Sequence, residues 1–136
     1  MEQVVSEGNK LFPVFLKLEE LRVLVIGGGK IGMEKMTAIL NNSPAAKVTL
    51  VARTLLPELK ELLRSAPQVT VREKDFEVSD LEEVDLVITA TGVREVSERV
   101  KAEAKKRRLL VNVADTPDLC DFYLGSIVQK GDLKIA

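Results

Sequence analysis

Gly27-Gly28-Gly29-Lys30-Ile31-Gly32 fits the spacing G-x-G-x-x-G. It stands between an apolar run, Arg22 to Ile26, and a charged stretch of helical character. Glycine at such a bend lets the backbone take positive φ and lets a pyrophosphate approach where a Cβ would collide. The amides of the following helix's first turn, around Lys30 and Ile31, lack intrahelical acceptors and favour an anion. Three glycines at this spacing are weak evidence alone, because a tight turn without ligand meets the same pattern. Their position on the end of a buried strand, opening a helix, favours a dinucleotide cradle. Gly27, Gly28, Gly29, Lys30 and Ile31 are therefore candidate cofactor-binding residues.

The adenine ribose of such a cofactor is usually read by a carboxylate about 20 residues further on, at the end of the second strand. Ala52-Arg53-Thr54 occupies that place. Arg53 suits a 2′-phosphate and hence NADP; as a solvated loop residue it would leave the ribose to Thr54 or to backbone groups. These residues leave NAD and NADP both open.

Ligands of open α/β sheets lie outside the carboxyl ends of the strands. Besides the glycine loop, "ITATGVRE" and "VNVADTPDLCD" should reach that edge. Thr89, Thr91 and Gly92 are small enough to let a nicotinamide ribose pass, or they are strand-end residues of no special role. Asp115 is the carboxylate delivered there directly from a buried strand. Beside a nicotinamide it could take the proton a substrate loses as its hydride departs. Asp115-Thr116-Pro117 also reads as a helix or turn start. Lys105-Lys106-Arg107-Arg108 fits the basic last turn of a helix better than an anion site. Cys120 has no histidine to activate it and reads as a small half-buried residue.

Positioning these groups requires strands alternating with helices, and the chain supplies them from residue 22 to 113. "PVFLKL" and "EELRVLVI" read as two strands joined at Glu19-Glu20. Ile31, Met33, Met36, Ile39 and Leu40 recur at helical spacing until "NNSP". "KVTLVA", "VTVR", "DLVITA" and "LLVNVA" read as strands, and "PELKELLRS" as a short helix with proline in its first turn. Ser79-Asp80-Leu81-Glu82 has the form of a capping box. Arg94 to Arg107 reads as a helix with an apolar stripe at Val96, Val100 and Ala104, and with Glu95–Arg99 and Glu103–Arg107 in i,i+4 order. "SIVQ-KGD-LKIA" looks like a hairpin. The expected fold is α/β: a Rossmann-like, doubly wound, mostly parallel sheet with a C-terminal β-hairpin extension.

The chain's 136 residues suit one domain with a real core. Twenty basic residues against twenty-one acidic ones leave a net charge of −1, which gives no electrostatic case for nucleic acid or a membrane surface. No histidine is present, which excludes histidine-based metal sites, triads and proton shuttles, and no metal-binding residues are expected. The single cysteine cannot form an internal disulfide, and "MEQVVSEGNK" lacks the basic start and apolar core of a signal peptide, so a cytoplasmic location is expected.

Taken in order, "FPVFLKLEELRVLVIGGGKIGMEK", "TATGVREV" and "VNVADTPDLCDFYLGSIVQKGDLKIA" resemble the precorrin-2 dehydrogenase and sirohydrochlorin ferrochelatase family, the N-terminal module of sirohaem synthases. N-V-x-D-x-P-x-x-C-x-F followed by S-I-V carries the resemblance more specifically than the glycines do. The resemblance implies an NAD-dependent oxidation of precorrin-2 to sirohydrochlorin in sirohaem biosynthesis, and it favours NAD over NADP. It makes Asp115 the catalytic proton acceptor, with a part in metal insertion in bifunctional members. Lys30, Ile31, Arg53 and Thr54 match positions that contact the dinucleotide. The partners it implies are the tetrapyrrole precorrin-2 and a second copy of the chain in a homodimer.

Two departures stand out. Gly125 replaces the family's usual proline before "SIV", and the family continues beyond "LKIA" into a dimerisation region. Residues 1–114 are thus expected to form the NAD-binding domain, and 115–136 to begin an incomplete substrate and dimerisation segment. Rival readings are a non-catalytic dinucleotide-sensing module and a truncated remnant that only binds NAD.

Overall fold

The computed structural model describes residues 9–124, 128–130 and 133–135. Five parallel strands form the central sheet: β1 (Val23–Ile26), β2 (Val48–Ala52), β3 (Thr70–Glu73), β4 (Leu86–Thr89) and β5 (Leu110–Val113), in the order β3-β2-β1-β4-β5. Every residue of β1 and β4 is buried, as their uninterrupted apolar sequences require of strands covered on both faces. β3 is the exposed edge, and its sequence, Thr-Val-Arg-Glu, carries one apolar residue in four.

Side chains alternate between the two faces of the sheet, so each face gathers its own core. Val23, Val25, Leu50 and Ile88 pack with Met36, Ile39 and Leu59. These last three come from helices α1 (Lys30–Asn42) and α2 (Pro57–Arg64). On the other face Leu24, Ile26, Val87 and Val111 pack against Val100 and Ala104 of α3 (Arg94–Lys106). Val100 and Ala104 belong to the stripe read from the sequence, and Val96 packs half-buried beside them. The fold is the expected doubly wound, Rossmann-like sheet.

The strand order reverses at β1, which lies between β2 and β4. Ile26 is in register with Val51 and with Thr89, and Thr89 with Val113. The loops that leave β1, β2, β4 and β5 therefore emerge at one rim, over the switch point where ligands of such sheets bind.

Several local expectations fail. "PVFLKL" forms no strand: residues 9–17 have no regular structure and Leu18–Glu20 make a 3-10 turn. Phe12 and Phe15 stand 88% and 83% exposed, so no neighbour among the described residues holds this segment extended in a sheet. The capping box sits two residues earlier than read. Asp80 accepts the Glu77 N–H at 2.8 Å, because its carboxylate is buried there between Lys74 (2.6 Å) and Arg72 (3.5 Å). Glu103–Arg107 forms at 2.9 Å, but Arg99 lies over the Phe76 ring, 5.8 Å from its centroid, instead of pairing with Glu95. The hairpin appears as β6 (Val128–Lys130) antiparallel to β7 (Leu133–Ile135); Gly131 and Asp132 of its turn lie outside the described residues.

Candidate functional site

Close packing explains three of the four loop glycines. Gly27 has φ 127°, and a Cβ there would come within 2.4 Å of the Ala90 carbonyl oxygen. A Cβ on Gly28 would meet the Thr54 carbonyl oxygen at 2.2 Å and the Ala52 Cβ at 2.9 Å. One on Gly32 would meet the Gly27 carbonyl oxygen at 2.2 Å, where α1 lies against the end of β1. The Leu56 N–H donates to the Gly28 carbonyl at 2.9 Å, fixing the loop after β2 to the glycine loop.

Gly29 differs. Its φ of −90° suits any residue, and a Cβ would find nothing within 4 Å. Neither backbone nor packing asks for glycine here. The position is the helix N-cap, and Met33 N–H to Gly29 O, 2.9 Å, is the first bond of α1. The amides of Lys30, Ile31 and Gly32 therefore precede the first intrahelical bond. The first turn holds no acidic side chain to oppose an anion. An open volume over unbonded amides at a positive helix end fits a pyrophosphate. The residues present thus suit a dinucleotide.

Arg53 follows β2 and stands on this rim, but its guanidinium is engaged: Nε lies 2.6 Å from Asp75 Oδ1. That hydrogen bond raises the Arg53 pKa and holds the Asp75 carboxyl below the usual range. Sequence reading missed Asp75, the carboxylate that meets Arg53 at the ribose reader's place. It comes from the end of β3, 22 residues from Arg53, and only the parallel register, Ala52 opposite Glu73, brings the two together. Thr54 is exposed beside Arg53, its carbonyl against Gly28.

On the other flank, Thr89 is buried at the end of β4, only 1% exposed, and cannot line an open ribose site. The Thr91 hydroxyl accepts the Val93 N–H at 3.1 Å, just before α3 begins. Gly92 is exposed with φ 70°, and a Cβ there would meet nothing within 4 Å.

Asp115 follows β5 in a turn closed by Thr116 N–H to Val113 O at 3.2 Å. Its φ is 61°, a left-handed conformation that aspartate tolerates and that favours few other side chains. The residue capping the next 3-10 turn, Pro117–Leu119, is Thr116. The turn reading of this stretch is therefore right for the backbone and wrong for the carboxylate, which is exposed and has no hydrogen-bond partner among the described residues. The chain then folds back on β5: Asp121 accepts the Val111 N–H at 3.0 Å, and Cys120 Sγ accepts the Val113 N–H at 3.1 Å. These bonds, with Ala114 N–H to Thr89 O at 3.0 Å, hold the base of the Asp115 turn. Cys120 is half-buried, as expected. Among the described residues no cluster of His, Cys, Asp and Glu is arranged to hold a metal ion, and no helix is long and apolar enough to cross a membrane.

A family model, NAD_binding_7, described as "Putative NAD(P)-binding", matches residues 14–126. The chain belongs to this NAD(P)-binding family. The NAD(P)-binding domain is 36% identical over 124 residues to the siroheme synthase of Nitrosomonas europaea, covering 91% of this chain and 26% of that protein. It is 40% identical over 124 residues to siroheme synthase 1 of Klebsiella pneumoniae subsp. pneumoniae, with the same coverage. The chain thus spans about a quarter of the length of these curated relatives. Among solved structures it superposes on SirC, precorrin-2 dehydrogenase, with a TM-score of 0.78 and 29% identity, over 93% of this chain and 60% of that one. The resemblance read from the sequence motifs and these homologies agree.

Proposed function

We propose that this chain is the NAD-dependent dehydrogenase module of a sirohaem-forming protein, oxidising precorrin-2 to sirohydrochlorin. The observation that carries the reading is a pair of unused capacities on one rim. Among the described residues, Gly29 leaves open space over amides of α1 that have no acceptor, and two strands away Asp115 holds a carboxylate without a partner. The named relatives supply the substrate class.

Bound NAD⁺ would supply the hydride acceptor. Gly29, Lys30 and Ile31 would hold its pyrophosphate, and Gly92, without a side chain, leaves the nicotinamide end room. Precorrin-2 would lose two hydrogens, one as hydride to that acceptor and one as a proton to an Asp115 carboxylate oxygen. The left-handed backbone at Asp115 (φ 61°) sets the direction in which its side chain leaves the rim. In this reading residues 115–136 begin the part that holds the tetrapyrrole. The module works as a homodimer, for which the exposed Phe12 and Phe15 offer apolar surface, and in a reducing cytoplasm, consistent with the free thiol of Cys120.

The test is incubation with NAD⁺ and precorrin-2, reading NADH absorbance and sirohydrochlorin together. Asp115→Ala should lower turnover by about 10²–10⁴, the usual worth of a positioned base, while NAD affinity stays within about threefold. Unchanged turnover in that variant would remove Asp115 from the chemistry. A wild-type chain that binds NAD⁺ and forms no product at any concentration would favour the sensing module or the inactive remnant.

A further inference from the structure

The Arg53–Asp75 pair stands where the ribose reader of a dinucleotide site belongs. Ala52, the last residue of β2, accepts the Lys74 N–H at 2.9 Å, so the chain after β3 runs alongside the end of β2. The next residue on each side makes the pair, at 2.6 Å. The glycine loop touches the residues flanking Arg53: a Cβ on Gly28 would collide with Ala52 and Thr54. The pair therefore borders the cradle directly.

Its value to the fold is small. Arg53 and Asp75 are 79% and 67% exposed, and ion pairs this open contribute little to stability. Position gives the pair its consequence. A free arginine at this place would welcome a 2′-phosphate. Here the guanidinium is already paired, and the paired carboxylate would face any incoming phosphate, itself bearing about two negative charges. A ribose 2′-hydroxyl meets no such repulsion and can donate to Asp75 Oδ2.

We infer that Asp75 is the cofactor-specificity residue of this chain, supplying from β3 the carboxylate that β2 lacks and turning Arg53 away from NADP. This rests on the dinucleotide reading of the site.

The experiment is calorimetric titration of the full chain with NAD⁺ and NADP⁺ in parallel, for wild type, Asp75→Asn, Arg53→Ala and the double variant, with thermal melts as a folding control. Wild type should prefer NAD⁺. Asp75→Asn should tighten NADP⁺ by about fivefold or more, as freed charge-assisted bonds allow, and more at low salt than at high. NAD⁺ should weaken modestly. The double variant should lose the NADP⁺ gain, since Arg53 is its source. An unchanged NADP⁺-to-NAD⁺ ratio in Asp75→Asn, or a gain that survives loss of Arg53, overturns the assignment while leaving the cofactor reading intact. Binding of neither dinucleotide by wild type overturns both.

Discussion

The two ends of the sheet differ in kind. At the amino end lies a cleft of about 340 Å³, lined among others by Arg22, Lys47, Arg72, Asp80 and Glu82. Two of its charged groups, Arg22 and Asp80, are held by neighbours. Arg22 binds the Asp85 carboxylate through its backbone N–H at 2.8 Å, Nε at 3.1 Å and an Nη at 2.9 Å. Asp80 is saturated by Lys74, Arg72 and the Glu77 amide. At the carboxyl end, among the described residues, binding capacity is left unused: helix amides without acceptors, a glycine whose Cβ would meet no neighbour, and Asp115 without a partner. Unspent hydrogen-bonding capacity marks a site better than volume does.

If that contrast is right, substitutions should separate the two ends by what they damage. The largest loss should come where the carboxyl rim is itself packed. Gly28→Ala puts a methyl 2.2 Å from the Thr54 carbonyl oxygen, a backbone atom that cannot swing aside. It should cost about 3 kcal/mol, the upper end for overpacking, read as a lower urea midpoint. Near-native stability would mean that the loop after β2 is not pinned to the glycine loop. Next comes Asp80→Ala, which leaves the Glu77 amide without its acceptor and Lys74 with its longer contact to Glu77 at 3.3 Å. Full burial of all partners would make the loss larger, but Lys74 and Arg72 are 33% and 50% exposed, so about 1–3 kcal/mol is expected.

How much of this was readable beforehand depends on the range of the interaction. The strand–helix alternation was, because each element carries its own period and punctuation: "GGG" after Ile26, "NNSP" after Leu40, Pro57 opening α2. The glycine loop was too, since its neighbours in sequence are its neighbours in space. The Arg53–Asp75 pair was not, because it depends on which strands lie side by side and in what register. An acid three residues beyond "VTVR" was the signal, and only the order β3-β2-β1 gives it meaning. "PVFLKL" misled for the opposite reason. An apolar run records a wish to be buried, and a strand needs a partner as well. The Ser79–Glu82 pattern lost to Glu77 and Asp80 because burial and two cations fix Asp80 where it can reach the Glu77 amide.

Gly29→Ala sharpens the comparison from the other side. Its Cβ meets no protein atom within 4 Å, so only the cap preference for glycine over alanine is lost and the melting temperature should fall much less than in Gly28→Ala. If the space belongs to a pyrophosphate, NAD⁺ affinity should fall about tenfold or more, equivalent to roughly 1.4 kcal/mol. The two glycines Gly28 and Gly29, adjacent in sequence, should then fail in different assays. Retained affinity in Gly29→Ala would argue that the open space is merely open.

The smallest effect belongs to the amino rim and fades in acid. The Arg22 side-chain hydrogen bond, then the Arg22 backbone N–H, lower the Asp85 carboxyl to about 2. An unfolded chain's aspartate titrates near 3.9. A carboxyl whose folded value is depressed contributes stability that is complete above the unfolded value and fades as pH falls through the folded one. Its share is therefore present at neutral pH and is lost between roughly pH 4 and pH 2. Arg22, raised further above its already high value, stays charged throughout and adds no slope. Asp85→Asn should thus be less stable than wild type at pH 7, with the gap narrowing as the solution is acidified below pH 4, in urea midpoints taken across the range. NAD⁺ affinity at pH 7 should be the same in both, because this pair closes the end of the sheet opposite the cradle. A constant gap between the two proteins would show that Asp85 gains nothing from Arg22 beyond what an amide supplies, and a fall in NAD⁺ affinity would show that the ends of the sheet are not independent.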